Sequence, residues 1–116
     1  MKFKDVFSVE KPIMAMLHLK GDSKEDILER AKREADLLFE CGVDAVIVED
    51  YFGSEEDVEN VLKWLSEERP HYLYGVNVLD QLGKTYELAE KYGAKFMQVD
   101  SVCGHLLPEE DPAYEK

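Results

Sequence analysis

Four short apolar runs, separated by amphipathic helical patterns, constrain this chain more than any other feature of its sequence. Each run is followed by a polar residue at nearly the same position: His18, Glu49, Asn77 and Asp100. Continuous apolar runs of this length are typical of parallel strands that are covered on both faces. Strands that alternate with helices through tight connections predict a parallel βαβαβαβ sheet with right-handed crossovers. The expected fold class is therefore α/β.

The predicted helices are marked by their end residues and by apolar stripes. The strands are expected at residues 12–18, 43–49, 72–78 and 94–100. The predicted helix beginnings and ends are, in chain order, either Asp22 or Ser23 and Gly42, then Ser54 and Pro70, then Asp80 and Gly93. The apolar stripes recur at helical spacing. They are Ile27, Ala31, Ala35 and Leu38, then Val58, Val61, Leu62 and Leu65, then Leu82, Tyr86 and Ala89.

Two architectures fit this alternation: the N-terminal half of a TIM (β/α)8 barrel, and a small flavodoxin-like open sheet. A nucleotide-binding open sheet usually has a glycine-rich phosphate loop after its first strand. Residues 19–23 contain one glycine and an acid instead, which favours the barrel. A complete barrel needs about 250 residues. Residues 1–116 are therefore expected to form one partial barrel domain of four strands and three helices, with an acidic C-terminal loop over residues 101–116.

Composition excludes several classes of partner. The net charge of −12, from 26 acidic and 14 basic residues, argues against nucleic acid, because phosphate binding needs clustered Lys and Arg. No apolar run approaches the roughly 18 residues of a membrane-spanning helix, so we expect no membrane insertion. The N-terminus lacks the apolar core of a signal peptide. Cys41 and Cys103 lie in different settings, which fits a reducing, cytoplasmic location.

The polar strand ends predict a site. Because neighbouring strands lie about 4.8 Å apart, His18, Glu49, Asn77 and Asp100 should converge on one small ligand at the barrel mouth. Two carboxylates and an imidazole suit general acid–base chemistry, so Glu49, Asp100 and His18 are the candidate catalytic residues. The same side chains are also ligand types for a divalent metal, which leaves the cofactor open.

Residues around these strand ends are candidates for substrate binding. Asn77, Lys20 and Ser101 are the expected contacts, and Lys20 is the expected basic residue at the mouth. Asp50 is expected to cap the loop towards Gly53. Two alternatives stay open for Tyr51 and Phe52, which either form an apolar wall over the mouth or pack beneath the loop. Cys103 and His105 are too few for a zinc site, which needs four ligands.

Three segments of the chain resemble the BtpA family of (β/α)8-barrel proteins. The segments are residues 11–19, 42–49 and 75–79, and the resemblance extends over residues 11–101. It implies the N-terminal half of that family's barrel. Family members are named for a role in photosystem I biogenesis, and others look like uncharacterised proteins of sugar or phosphate metabolism. The short loop at residues 20–22 and the endings Glu49-Asp50 and Gln98-Val99-Asp100 depart from the family pattern, which favours a divergent relative with another function.

Three functions follow from the residues and the resemblance. The first is binding or transformation of a small, possibly phosphorylated metabolite at the carboxyl ends of the strands. The second is a non-enzymatic role in biogenesis or assembly. The third is a self-associating half-barrel without activity of its own, because four strands leave two open sheet edges and an uncovered apolar face. The expected partners are a small-molecule ligand and other copies of the chain, as a homo-oligomer.

Overall fold

The computed structural model describes residues 2–100, which form one four-stranded parallel sheet with helices between the strands. The strands are β1 (Met14–Leu17), β2 (Ala45–Glu49), β3 (Tyr74–Asn77) and β4 (Phe96–Met97). The helices are α1 (Phe3–Val6), α2 (Lys24–Glu40), α3 (Glu55–Glu68) and α4 (Leu82–Tyr92). The predicted α/β class is confirmed, although the strands are shorter than expected and α1 was not foreseen. None of the helices within residues 2–100 is long and apolar enough to cross a membrane.

The strand order bears on the two predicted architectures. Neighbouring strands follow the chain in the order β1-β2-β3-β4, and every pair is parallel. A flavodoxin-like sheet would place its first strand between the second and the third. The flavodoxin-like alternative is therefore wrong for the described sheet. Sequential order is the arrangement that (β/α)8 barrels use.

The main core lies between the sheet and a layer of three helices. Helix α3 packs between α2 and α4, and all three contact the strands. The predicted apolar stripes of α2 and α3 are confirmed, with Leu38 partly buried. The large apolar side chains of strands and helices that are completely buried are Leu17, Val46, Val48, Val58, Val61, Leu62, Leu65, Val76 and Leu88. Burying one side chain of this size stabilises the fold by roughly 1.5–3 kcal/mol, so this face holds most of the apolar stabilisation.

Helix α4 presents a different face from the predicted one. Leu82 and Tyr86 are 61% and 58% exposed, whereas Thr85, Leu88 and Ala89 are buried. The Thr85 hydroxyl accepts a hydrogen bond from the Val78 backbone N–H at 2.9 Å. A polar side chain thus faces the sheet, because its oxygen satisfies the backbone where β3 ends.

The predicted ends of the helices are largely confirmed. Ser23 and Ser54 are N-caps, and Ser54 forms a capping box with Asp57. Gly42 and Gly93 adopt positive φ at 103° and 71°, the left-handed conformation that glycine tolerates best. The prediction that Asp80 caps α4 is wrong. The N-cap position is Gln81, and Asp80 takes a left-handed conformation with φ of 60°.

The face of the sheet opposite the helix layer carries a second, smaller set of contacts. Met16, Ile47, Gly75 and Phe96 lie in register across the four strands. The Phe96 ring lies over Gly75 so closely that a Cβ on Gly75 would collide with it. The Phe7 ring packs against Phe96 with centroids 5.6 Å apart. The segment that follows α1 therefore contacts the edge strand β4 on this face.

Candidate functional site

A continuous row of polar side chains crosses the carboxyl edge of the sheet. The register pairs Glu49 with Asn77 on adjacent strands, and His18 directly follows β1. The Asn77 Nδ2 amide donates to Glu49 Oε2 at 3.0 Å and to Asp100 Oδ1 at 2.9 Å. His18 Nε2 lies 3.5 Å from Glu49 Oε1. The structure thus brings together all four strand-end residues that the sequence singled out.

Burial differs along this polar row. Glu49 is 5% exposed and Asn77 is 1% exposed, whereas His18 is half-exposed and Asp100 is exposed. A buried carboxylate loses solvation by water, and the loss must be offset by polar contacts. The contacts that Glu49 makes here are an amide and an imidazole. Glu49 is therefore held in a fixed position, and no arginine or lysine is bound to it among residues 2–100.

The loop after β2 fixes the position of His18. The Phe52 backbone N–H donates to the His18 carbonyl at 3.0 Å. Gly53 packs so tightly against Leu19 that an added Cβ would lie 2.9 Å from the Leu19 carbonyl oxygen. Leu19 itself is left-handed, with φ of 61°. Non-glycine residues adopt this conformation at a cost of order 1–3 kcal/mol, and such residues cluster at functional sites.

The loop after β3 is held from two sides. Asp50 Oδ1 accepts a hydrogen bond from the Leu79 backbone N–H at 2.9 Å, so the prediction that Asp50 caps the loop towards Gly53 is wrong. Asp100 Oδ2 accepts from the Asp80 N–H at 3.2 Å. Both acids therefore use an oxygen to hold the chain beyond Asn77, because strand ends leave backbone donors without ladder partners.

Two aromatic side chains form a wall beside His18. The Tyr51 and His18 ring centroids lie 4.9 Å apart, and those of Phe52 and His18 lie 6.1 Å apart. Tyr51 and Phe52 are 59% and 55% exposed, so of the two alternatives the wall is the one observed. Lys20 Nζ lies 5.2 Å from the Phe52 ring centroid, within cation–π range. Lys20 therefore lies near the mouth, as predicted, although it contacts an aromatic ring.

A second lysine lies at the same end of the sheet and was missed. Lys24, in the first turn of α2, has its Nζ 3.3 Å from Glu56 Oε2 and 3.6 Å from Asp57 Oδ1. The hydrogen bond with Glu56 raises the pKa of Lys24 above its usual value. Its position directly after the Ser23 cap could have revealed it, because helices of βα units begin at the carboxyl edge of the sheet. Two acids already partner this lysine, which lowers its value for binding an anion.

The remaining candidates give no metal centre in the described part of the chain. Within residues 2–100, no three His, Cys, Asp or Glu side chains are placed together as a metal site needs. The Asn77 amide lies between Glu49 and Asp100 and donates to both, so the arrangement serves hydrogen bonding. Ser101, Cys103 and His105 lie outside the described residues.

A small cavity adjoins the exposed end of the polar row. Its volume is about 150 Å³, and it lies between the start of α4 and the ends of β3 and β4. The lining side chains include Asn77, Thr85, Gln98 and Asp100. Ligand sites usually have about 300–1,000 Å³. The cavity within the described residues is therefore smaller than a usual ligand site.

Comparison with known proteins gives one informative match. No protein-family profile matches the chain, and no solved structure matches it. The chain is similar to the uncharacterized protein MJ1115 of Methanocaldococcus jannaschii, with 32% identity over 130 aligned residues. The alignment covers 91% of this chain and 49% of that protein. The chain therefore spans about half the length of the curated relative that it matches.

Proposed function

We propose that this chain forms four successive units of a (β/α)8 barrel of the BtpA type and holds a small polar metabolite at the carboxyl edge of its sheet. The sequential strand order and the single helix layer support a barrel segment. In such barrels the active site lies at the carboxyl ends of the strands, where the polar row lies here. The longer relative would accommodate further units.

The observation that carries this proposal is the polar row, in which the Asn77 amide donates hydrogen bonds to Glu49 and Asp100. His18 Nε2 adjoins the row, 3.5 Å from Glu49 Oε1. In the proposed chemistry Glu49 accepts a proton from the bound metabolite as general base, and His18 donates one to it as general acid. Asn77 holds the Glu49 carboxylate in place through the 3.0 Å hydrogen bond. Exposed Asp100 and the Tyr51–Phe52 wall bound the space above the row. Glu49 would act as the base, because it is buried and has no arginine or lysine bound to it in the described part of the chain.

The charges at this edge bear on the ligand. Four acids lie there, Glu49, Asp50, Asp80 and Asp100. Lys20 is the positively charged residue nearby that has no carboxylate partner among residues 2–100. The part of the metabolite that meets these residues is therefore an uncharged hydroxyl-bearing or cationic group. A phosphate, where the metabolite carries one, would bind at Lys20 or at units beyond this chain. We place this chemistry in the cytoplasm.

A role in assembly without catalysis is the second candidate. The observation that favours it is the set of large apolar side chains that remain exposed on β1, β4 and α4, which include Met14, Leu82, Tyr86 and Met97. Exposed apolar patches on a folded domain mark interaction surfaces. This role and ligand binding use different surfaces of the molecule, so they can be tested separately.

The test is an NMR titration with a panel of small polyhydroxy metabolites, amines and phosphate esters. Binding should shift the amide signals of residues at the carboxyl edge, and Glu49→Gln should weaken it at least about tenfold. The variant Glu67→Gln, on the exposed surface of α3, is the matched control and should leave binding unchanged.

Stability is measured in the same experiment to separate function from folding. Gln at position 49 keeps an oxygen for Asn77 and removes a buried charge, so the free energy of unfolding should change by less than about 1 kcal/mol. The proposal is wrong if the panel binds nowhere near this edge, or if Glu49→Gln binds every ligand as the unchanged protein does.

A further inference from the structure

The two edges of the sheet expose apolar side chains. At the β1 edge, Ile13 and Met14 are exposed, and Leu37 is exposed on α2. In the described part of the chain β1 pairs with β2 alone, so its outer backbone groups have no strand partner. An open edge of this kind readily pairs with another strand.

The β4 edge is apolar as well. Leu82 and Tyr86 on α4, with Met97 and Val99 at β4, are exposed. A groove of about 330 Å³ runs between α4 and this edge, and Tyr86, Ala89, Glu90 and Met97 contribute to its lining. Leu82 and Tyr86 were predicted to be buried in the core, and instead they lie on the side of α4 towards the β4 edge. This edge has no further strand partner in the described part of the chain.

We infer that a second copy of this chain closes the sheet, with β4 of each copy beside β1 of the other. Both edges that must meet are present on one chain, so a two-fold axis makes two equal seams. The closed sheet has eight parallel strands, the number at which side chains just fill a barrel interior. The curated relative has room for about twice the span of this chain, as a single-chain version of such a closed sheet requires.

Charge supports this pairing of edges. Arg33 on α2 and Glu90 on α4 are exposed, and each borders a depression on the outer side of its helix. Both helices begin at the carboxyl edge of the sheet, and both residues lie roughly 12–14 Å along their helix, at 1.5 Å per residue. When α4 meets α2 of the second copy, opposite charges therefore lie at the same height. Leu37 lies on the same side of α2 and adds apolar area to this contact.

The closed arrangement would also complete the polar row. Asp100 ends the row on the β4 side, and His18 begins it on the β1 side. Across each seam Asp100 of one copy comes next to His18 of the other, so two rows form one ring around a shared mouth. The second copy therefore contributes side chains to the site.

Sedimentation equilibrium under reducing conditions tests the inference on the intact 116-residue chain. The expected particle has twice the chain mass of 13.4 kDa and dissociates on dilution. Tyr86→Lys, in the β4 groove, should weaken association about tenfold, since aromatic side chains dominate interfaces. Asn60→Lys, on the central helix α3, makes the same charge change away from both edges and should have no effect.

A charge-reversal pair tests the proposed contact between helices. Arg33→Glu should weaken association about fivefold through like-charge repulsion, and the double variant Arg33→Glu/Glu90→Arg should restore it. These exposed changes leave the core intact, so they decide the matter even where Tyr86→Lys fails to fold. A monomer at all concentrations, or a dimer that none of the edge variants weakens, overturns the inference and assigns the edges to further βα units of a longer protein.

Discussion

At the amino-terminal end of the sheet Asp36 is held by a guanidinium, whereas at the carboxyl end Glu49 is held by an amide and an imidazole. Arg69 donates to both Asp36 oxygens, at 2.9 and 3.0 Å, and the Tyr72 hydroxyl donates at 2.6 Å. These hydrogen bonds, Arg69 first, hold the pKa of Asp36 below its usual value. Glu49 is more deeply buried than Asp36, and the amide and imidazole beside it offset its lost hydration less than a guanidinium would.

The difference separates a structural acid from a candidate functional one. The Asp36 network joins α2 to the segment between α3 and β3, and its charges balance. Within residues 2–100, the carboxyl-end row gathers acids that have no arginine or lysine partner, and left-handed Leu19 and Asp80 flank it. Selection for stability alone would not favour such a row, and functional sites commonly retain arrangements that are unfavourable for stability.

The largest effect should come from removing the donor that links the two acids. Asn77→Asp puts a third carboxylate between Glu49 and Asp100, and the buried repulsion should cost about 3 kcal/mol of the free energy of unfolding at pH 7. Repulsion between the carboxylates raises the pKa of the introduced aspartate side chain in the folded state. The loss of stability should therefore grow as pH rises above about 4 and shrink below it. Urea unfolding at several pH values measures this.

Asn60→Asp on α3 is the matched control for that substitution and should change stability by less than about 0.5 kcal/mol. A loss for Asn77→Asp that stays the same from acid to neutral pH would break the comparison, because repulsion between carboxylates would not then be its cause.

An intermediate effect is expected beneath the polar row. Gly75 lies two residues before Asn77 on the same face, where an added methyl group collides with the Phe96 ring. Gly75→Ala should cost about 2 kcal/mol by overpacking, and it should disturb the NMR signals of Asn77 and Phe7. Among residues 2–100, no heavy atom lies within 4 Å of the position that a Cβ on Gly83 would take, so Gly83→Ala in α4 should stabilise the fold by about 0.5–1 kcal/mol. If Gly75→Ala and Gly83→Ala changed stability equally, the packing of Phe96 against Gly75 beneath the polar row would be loose.

The smallest effect concerns the structural acid. Asp36→Asn should cost about 1 kcal/mol at neutral pH, a modest value because the Asp36 side chain is 41% exposed and its ion pair is screened by solvent. Since its pKa is lowered by folding, this stabilisation is present above the unfolded value near 3.8 and is lost as pH falls through the folded value. The variant and the unchanged protein should therefore converge in acid.

Glu68→Gln, an exposed substitution at the end of α3, provides the reference for this measurement. If Asp36→Asn remained less stable than the unchanged protein in acid, the hydrogen bonds of Asp36 rather than its charge would hold the amino-terminal end of the sheet. The contrast between the two ends of the sheet would then be smaller than the geometry indicates.

Much of the fold could be predicted because local signals and tertiary packing agree. The stripes Ile27–Ala31–Ala35 and Val58–Val61–Leu62–Leu65 repeat at the helical period, and those residues are buried. The predicted buried face of α4 was wrong because Thr85 faces the sheet and accepts a hydrogen bond from the Val78 backbone N–H, a contact that no periodic pattern encodes. The prediction for Asp50 was wrong for a related reason, since its carboxylate binds the Leu79 backbone N–H that the loop brings near it. The prediction for Asp80 was wrong because this residue takes a left-handed conformation one position before the N-cap, Gln81.

The sequence by itself placed His18, Glu49, Asn77 and Asp100 at or shortly after the ends of four strands, because a strand and its termination are local properties of the chain. Only the tertiary structure decided that these residues touch. Parallel pairing in chain order places Glu49 beside Asn77, and the amide then reaches Asp100, which follows the next strand, β4. The physical reason is that hydrogen-bonded register, a property of pairs of strands distant in sequence, sets which side chains meet at the edge of the sheet.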